Sequence, residues 1–386
     1  MFNNNPKLKS LFLINFLLSL HLALTAYTSS SFLSFFINEK FVGLVYVLGS
    51  VLSITALLVA PKIFSKVGGQ KFLIYVGLLS AVTLFLISIT HSAVVAIPAF
   101  IVYFALNILI VFSLDELLKI LSDNSIIGKV RGLYFAVGSS AWILAQLMFV
   151  GVFGDSPFRI VYLLACGLMI AFLFVSRVGL GNIKDPKYDK TKTFKYIREF
   201  FRIKNLRRSY KISLLLQFFY CWMVVYTPIY LYIHLGFSWK EIGLMFAIML
   251  LPFAILPFHL GRYSDKIGER KMLMIGFFIA SFATLSLFFI ERHEVWIWAL
   301  ALLCTRIGAA TIEIMSDVYF FKHIKPENEE YIGVYRSTAP VAFIIGPLVA
   351  SLAFIFIPSF NFIYVLLGAV MLCGVYLSST IRKSDS

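Results

Sequence analysis

The sequence predicts an all-α membrane protein: twelve transmembrane helices arranged as two pseudo-symmetric six-helix bundles. Three observations predict it. Apolar segments of bilayer-spanning length follow one another along the chain, and the basic residues gather on alternate connections between them. A basic, glycine-bearing turn also occurs twice, once in each half, at an offset of 200 residues.

The 386 residues are 60% hydrophobic and only 14% charged, with 40 Phe and 19 Tyr. That balance excludes an ordinary soluble domain and suits a bilayer, where aromatic rings fill helix contacts and interfacial belts. A spanning helix needs about 20 mostly apolar residues. Dividing the chain at charges, Gly and Pro places spans at 11–37, 41–60, 72–91, 94–115, 132–153 and 158–177 in the first half. In the second half they fall at 211–234, 241–260, 272–290, 295–317, 336–357 and 360–381. The first run follows Lys7 and Lys9 and continues to Ile37, too long for a signal-peptide core, so it reads as an uncleaved helix. Cys166, Cys221, Cys304 and Cys373 lie inside apolar segments without metal-ligand spacing and read as small buried hydrophobes.

The net charge of +15 raises the question of nucleic acid, but position decides against it. Of the 34 Lys and Arg, only Lys40, Arg159, Lys240 and Arg292 fall on one side of the spans, and Arg306 falls within one. The others crowd the opposite side, which orients both termini toward the cytoplasm; the membrane expected is a bacterial inner membrane. Residues 178–210 are the one long polar interruption, so the domains read as an N-terminal bundle (1–177), a cytoplasmic linker (178–210) and a C-terminal bundle (211–386). Within the linker, 194–204 reads either as a basic amphipathic helix on the anionic inner leaflet or as a solvated tether.

The better copy of the repeated turn is Gly261-Arg262-Tyr263-Ser264-Asp265-Lys266-Ile267-Gly268-Glu269-Arg270-Lys271. Its echo runs from Pro61 through Ser65, Lys66, Gly68 and Gly69 to Lys71. The better copy resembles the G-x-x-x-D-(R/K)-x-G-R-(R/K)-x turn between the second and third helices of a major facilitator superfamily half. Gly261, Asp265, Lys266, Gly268 and Arg270 match, Glu269 stands where a basic residue is usual, and Lys271 falls at a free position. In the echo Pro61 replaces the first glycine and Ser65 the aspartate. The halves also align at Asp115 and Arg131 against Asp317 and Arg336, at offsets of 202 and 205, as two parallel six-helix repeats would. The resemblance implies a secondary transporter working by alternating access around a midplane site.

The sharpest local signal is in the tenth span. Arg306 falls near its middle, where an arginine costs a few kcal/mol on insertion scales. Glu313 and Asp317 follow seven and eleven residues on, and at about 100° per residue all three share one helical face. A charged stripe avoids lipid, so it faces a cavity or a partner helix. One reading makes Glu313 a proton carrier, with Arg306 tuning it or holding an anionic substrate group; desolvation and a nearby cation pull a carboxyl's proton affinity in opposite directions. The other reading is that Arg306 and Glu313 form an internal ion pair or bind backbone carbonyls, holding helices together.

A second cluster forms a cytoplasmic gate: Asp265, Arg336 and Asp317 in one half, Asp115, Glu116 and Arg131 in the other. The resemblance implies that Asp265 latches onto Arg336, with Asp317 the competing carboxylate; ordinary loop salt bridges are the alternative. Polar residues within spans suggest a cavity lining. They are His21, Thr25 and Thr28 in the first span, Asn107 in the fourth and Ser139, Trp142 and Gln146 in the fifth. The seventh adds Gln217, Tyr220, Tyr226, Thr227 and Tyr230, with Pro228 permitting a bend. Taken singly, each also fits a packed helix contact. The first, fourth, seventh and tenth spans line the pathway in the family.

No phosphate-binding loop is present, no metal site is legible, and neither cofactor nor enzymatic activity is expected. The energy source expected is the proton gradient. The partners expected are a small-molecule substrate and membrane lipid, with the chain a monomer and nucleic acid excluded. Drug–proton antiporters of the family carry an arginine in the fourth span and a glycine-proline pair in the fifth. Here the counterparts lie in the other half, as Arg306 and Gly346-Pro347. Export of amphipathic compounds is therefore favoured over uptake of a sugar or other metabolite, and a non-transporting receptor or assembly protein is the reading from another class.

Overall fold

The computed structural model describes residues 6–121, 127–151, 158–181, 193–324 and 330–381. Side chains at 61–62, 64–65, 116, 119–120, 127–132, 135, 193–195, 257–259, 261–266 and 330 fall outside the described set. In a bilayer every backbone polar group must be satisfied within the protein, which leaves helices as the solution for these apolar runs. Among the described residues eleven helices are long and apolar enough to cross a membrane, and Ala136–Gly151 forms a shorter apolar one. Outward faces are coated with apolar side chains such as Val94, Ile355 and Phe356, while serines are drawn inward. Ser53, Ser113 and Ser378 each donate to the carbonyl one turn back, which removes their hydroxyls from competition with lipid.

The chain divides into two compact units, Met1–Asp189 with Ser238–Gly243, and Lys190–Phe237 with Leu244–Ser386. The first contains α1 (Pro6–Ala26), α2 (Ser29–Leu33), α3 (Val42–Val67), α4 (Gly69–Ile89), α5 (Ala93–Leu121), α6 (Ile127–Gly151) and α7 (Phe158–Leu180). In this unit α1 packs on α5, α6 and α7, and α4 packs on α5 and α7. The continuous run read as 11–37 breaks after Ala26. There Thr28 and Ser29 turn their hydroxyls onto the carbonyls of Leu24 and Thr25, the local bonding by which Ser and Thr disturb a helix.

The second unit follows with α8 (Thr193–Arg202), α9 (Lys204–Ile229), α10 (Trp239–Ile267), α11 (Glu269–Leu287), α12 (Val295–Lys322), α13 (Glu330–Arg336), α14 (Thr338–Phe356) and α15 (Phe362–Ser379). Here α9 packs on α12, α14 and α15, and α11 packs on α12 and α15. These are the same pairings as in the first unit, with α9 in the role of α1 and α11 in that of α4. Just beyond Pro228, Tyr230–His234 widens into a π-helical turn closed by Leu235 N–H on Tyr230 O.

The repeated turn is also repeated in backbone. Gly68 and Gly268 cap α4 and α11 with φ of 88° and 83°, and each carbonyl accepts from the residue four on, Phe72 and Met272. Only glycine takes that conformation without strain, so the eroded copy keeps the geometry while losing its aspartate. Glu269, the departure from the family pattern, opens α11, where a negative charge is favoured. It is 1% exposed and ion-paired with Lys322 at the end of α12. The exchanged sign thus has its own counter-charge.

Two expectations need correction. Most of the stretch 194–204 forms the helix Thr193–Arg202, and along its aromatic side it is packed on protein, not a solvated tether. Phe200 is fully buried with Leu206, Phe320, Tyr331 and Tyr335, and Tyr196 and Phe201 pack around them. The aromatic face finds partners on its own unit, and Arg198 and Arg202 remain exposed. The cysteines also divide: Cys166 and Cys221 are buried, but Cys304 and Cys373 are exposed. Cys304 stands one turn beyond exposed Leu300, and Cys373 beside exposed Leu372 and one turn before Tyr376, so both lie on outward faces.

Candidate functional site

The site is built on α12, which has two differently used sides. Gly308 faces α11 so closely that a Cβ there would lie 2.4 Å from Ala280 N and 2.7 Å from Gly276 O. Arg306, two residues earlier and about 200° around the helix, therefore points away from α11 and toward α9. Its side chain is 2% exposed, and its guanidinium lies 5.4 Å from the Phe219 ring and 5.2 Å from the Tyr220 ring. Arg306 Nε has no hydrogen-bond acceptor, and among the described residues no carboxylate lies within ion-pairing distance of the guanidinium.

Tyr220 links the two charges. With its ring beside Arg306, its hydroxyl donates to Glu313 Oε2 at 2.9 Å. The internal Arg306–Glu313 ion pair, one form of the second reading of this stretch, is thus not formed; a tyrosine stands between the partners. Phe253 of α10 lies 6.3 Å from the same ring. One turn beyond Glu313, Asp317 accepts from Arg336 Nη2 at 3.1 Å and from Tyr335 hydroxyl at 3.0 Å, and Tyr335 is also 2.8 Å from Ser316 Oγ. The shared face of Arg306, Glu313 and Asp317 is therefore a polar ladder: a cation on aromatic rings, a carboxylate on a phenol, and a carboxylate on an arginine.

The remaining expected residues distribute unevenly. Gln217 is half-buried one turn before Tyr220 on α9. Tyr226, Thr227 and Tyr230 lie on other sides of that segment and are buried. Tyr226 packs on Trp222, Phe354 and Phe360, Thr227 bonds Met223 Sδ, and Tyr230 stacks on Phe360. These three belong to an aromatic core, not to the surroundings of Arg306.

In the first unit, His21 is fully buried with Nε2 3.1 Å from Tyr103 hydroxyl, which also lies 2.7 Å from Thr25 Oγ1. Thr28 is spent on its own helix, and Gln146 donates to Ala23 O. Trp142 meets Tyr27 edge-on, Ser139 and Asn107 are half-buried, and Asn107 Oδ1 has no acceptor role filled. Asp115 is exposed near the end of α5. The side chains of Glu116, Arg131, Asp265 and Lys266 lie outside the described residues, as does the side-chain position of Gly261. Arg270 is half-buried and Lys271 exposed at the start of α11.

Sequence reasoning missed Phe219, Tyr335 and Lys322. The two aromatics carry no distinguishing signal among 40 Phe and 19 Tyr. Lys322 was legible only as one more basic residue, although the unusual Glu269 was a hint that a cation should be sought nearby.

Two helical units with the same internal pairings, and a charged ladder inside one of them, define a multi-pass α-helical membrane protein. Residues 212–385 match the family model for the Major Facilitator Superfamily. That match spans the second unit, and the solved structures that follow are similar to the chain over nearly its whole length. No curated protein matches it in sequence. Among solved structures it is similar to the nucleoside transporter NupG, at 12% identity and a TM-score of 0.76, covering 96% of this chain and 98% of that one. It is similar to a POT family transporter in complex with a thioalcohol-conjugated peptide, at 12% identity and a TM-score of 0.79, covering 98% and 96%. It is similar also to a D-xylose–proton symporter, at 13% identity and a TM-score of 0.78, covering 99% and 98%. At such identities the likeness is one of fold.

Proposed function

We propose that the chain transports its substrate by proton-coupled alternating access, with Glu313 as the group that takes up and releases the proton. One observation carries this: the Glu313 carboxylate is held by the Tyr220 hydroxyl and not by a cation. A carboxylate locked on an arginine stays charged through a transport cycle. A phenol hydroxyl can donate to the charged form and accept from the protonated one, so both states of Glu313 keep a partner. Asp317, already bound by Arg336 and Tyr335, lacks that freedom and suits a latch. With both termini in the cytoplasm, as the basic residues dispose them, that pair stands at the cytoplasmic end of α12 and serves the gate together with Asp265. A D-xylose–proton symporter of the same fold makes proton coupling compatible with this architecture. Export of amphipathic compounds remains the direction favoured by Arg306 and Gly346-Pro347.

The test uses proteoliposomes loaded with the pH dye pyranine and challenged with nucleosides, small peptides, pentoses and amphipathic acids and bases. A transported solute moves protons through the wild type. Glu313→Gln removes the proton movement while leaving solute exchange without a gradient. Undiminished proton movement in Glu313→Gln sinks the assignment.

A further inference from the structure

We infer that Arg306 is the receptor for the anionic head of the substrate, and that the substrate class is a small organic acid with an aromatic or otherwise apolar body. The inference rests on the transport reading of the α12 site and narrows it.

The same unit contains a contrasting arginine. Arg208 is also buried, and all three nitrogens of its guanidinium are bonded: Nε on Thr380 Oγ1, Nη1 on Asn205 Oδ1 and Tyr319 hydroxyl, Nη2 on Thr380 O. That is how a structural arginine looks when withdrawn from water. Arg306 is more deeply buried than Arg208 and, among the described residues, makes no hydrogen bond. Nε is buried without an acceptor, and the guanidinium, with five N–H donors in all, lies over the faces of Phe219 and Tyr220. A ring face attracts a cation but accepts none of those donors in the plane of the guanidinium.

A carboxylate, sulfonate or phosphonate supplies what is missing. Two of its oxygens match the guanidinium fork, and the charges cancel in a site largely closed to water. Phe219 is fully buried, but Tyr220 and Phe253, half-buried and 6.3 Å apart, give an apolar body somewhere to lie. Glu313 is too far from Arg306 to fill the role itself, being held off by Tyr220.

The experiment measures thermal unfolding of the purified full chain in detergent. The probes are benzoate, benzenesulfonate and phenylphosphonate, each set against benzamide and benzyl alcohol as neutral counterparts. At least one anion is expected to stabilise the wild type with about tenfold greater potency than its neutral counterpart. That preference should shrink in Arg306→Lys, which keeps the charge but loses the fork, and vanish in Arg306→Gln. The inference is overturned if no anion outperforms the neutral compounds, or if the preference survives Arg306→Gln. Should Arg306→Gln not fold, the wild-type comparison and Arg306→Lys still decide. Because binding is read without flux or a pH gradient, failure here leaves the proton role of Glu313 standing. Conversely, loss of that role leaves anion binding intact.

Discussion

An arginine kept in a bilayer-spanning helix with no counter-ion among the described residues should weaken the ligand-free protein, and replacing it by an apolar side chain should not weaken it further. For Arg306→Met the terms are as follows. An arginine near the centre of a spanning helix costs about 2.5–3.5 kcal/mol on insertion scales. The two ring contacts, at 5.4 and 5.2 Å, are desolvated and return up to about 2 kcal/mol each. Methionine has a similar reach, and its sulfur keeps a favourable contact with the same rings. The net expectation is a change in ligand-free stability between about zero and a gain of about 2 kcal/mol, measured by denaturant titration in mixed micelles against the wild type. Substrate-dependent proton movement should be lost in the same variant, the combination of undiminished stability and lower activity expected where a site is held in an unfavourable state for function. A loss of about 1 kcal/mol or more would refute the reasoning, because Arg306 would then be holding helices together.

The remaining expectations concern how α12 is fixed and how its end is charged. Gly308→Ala places a methyl 2.4 Å from Ala280 N, so α11 and α12 must part, at a cost of about 1–3 kcal/mol; unfolding of the variant at wild-type denaturant concentration would mean the contact is looser than described. Lys322→Met leaves the Glu269 carboxylate, 1% exposed, without its cation and should destabilise by up to about 3 kcal/mol. Glu269→Gln combined with Lys322→Met should recover most of that loss. A double-mutant cycle with no coupling energy would show that the pair contributes nothing.

The repeat and the spans were legible because the bilayer makes hydropathy a local property: about 20 apolar residues read as a crossing whatever they later touch. Gly68 and Gly268 were legible for a similar reason, since a turn between consecutive helices constrains its own backbone. The face shared by Arg306, Glu313 and Asp317 followed from helical periodicity alone. Periodicity did not say what the face meets. Whether Glu313 lay on Arg306 or on something else depended on how α9 is rotated against α12, and the tyrosine that settles it is 93 residues away in the chain.

The same division explains the corrections. Aromatic residues on 194–204 marked a helix with one apolar side, and that pattern is equally satisfied by lipid or by protein. Burial of Phe200 against Phe320 and Tyr335 was decided by the ends of α12 and α13, which the local pattern does not contain. What the sequence by itself determined was therefore the set of helices, their pairing into two repeats and the side of α12 that bears charge. Tertiary structure alone decided the partners: Tyr220 for Glu313, Arg336 for Asp317, Lys322 for Glu269, and, among the described residues, two aromatic rings but no carboxylate for Arg306. Hydrophobic crossing is a sum over neighbours in sequence, whereas ion and hydrogen-bond pairing depends on distances of a few ångströms between segments the chain brings together only on folding.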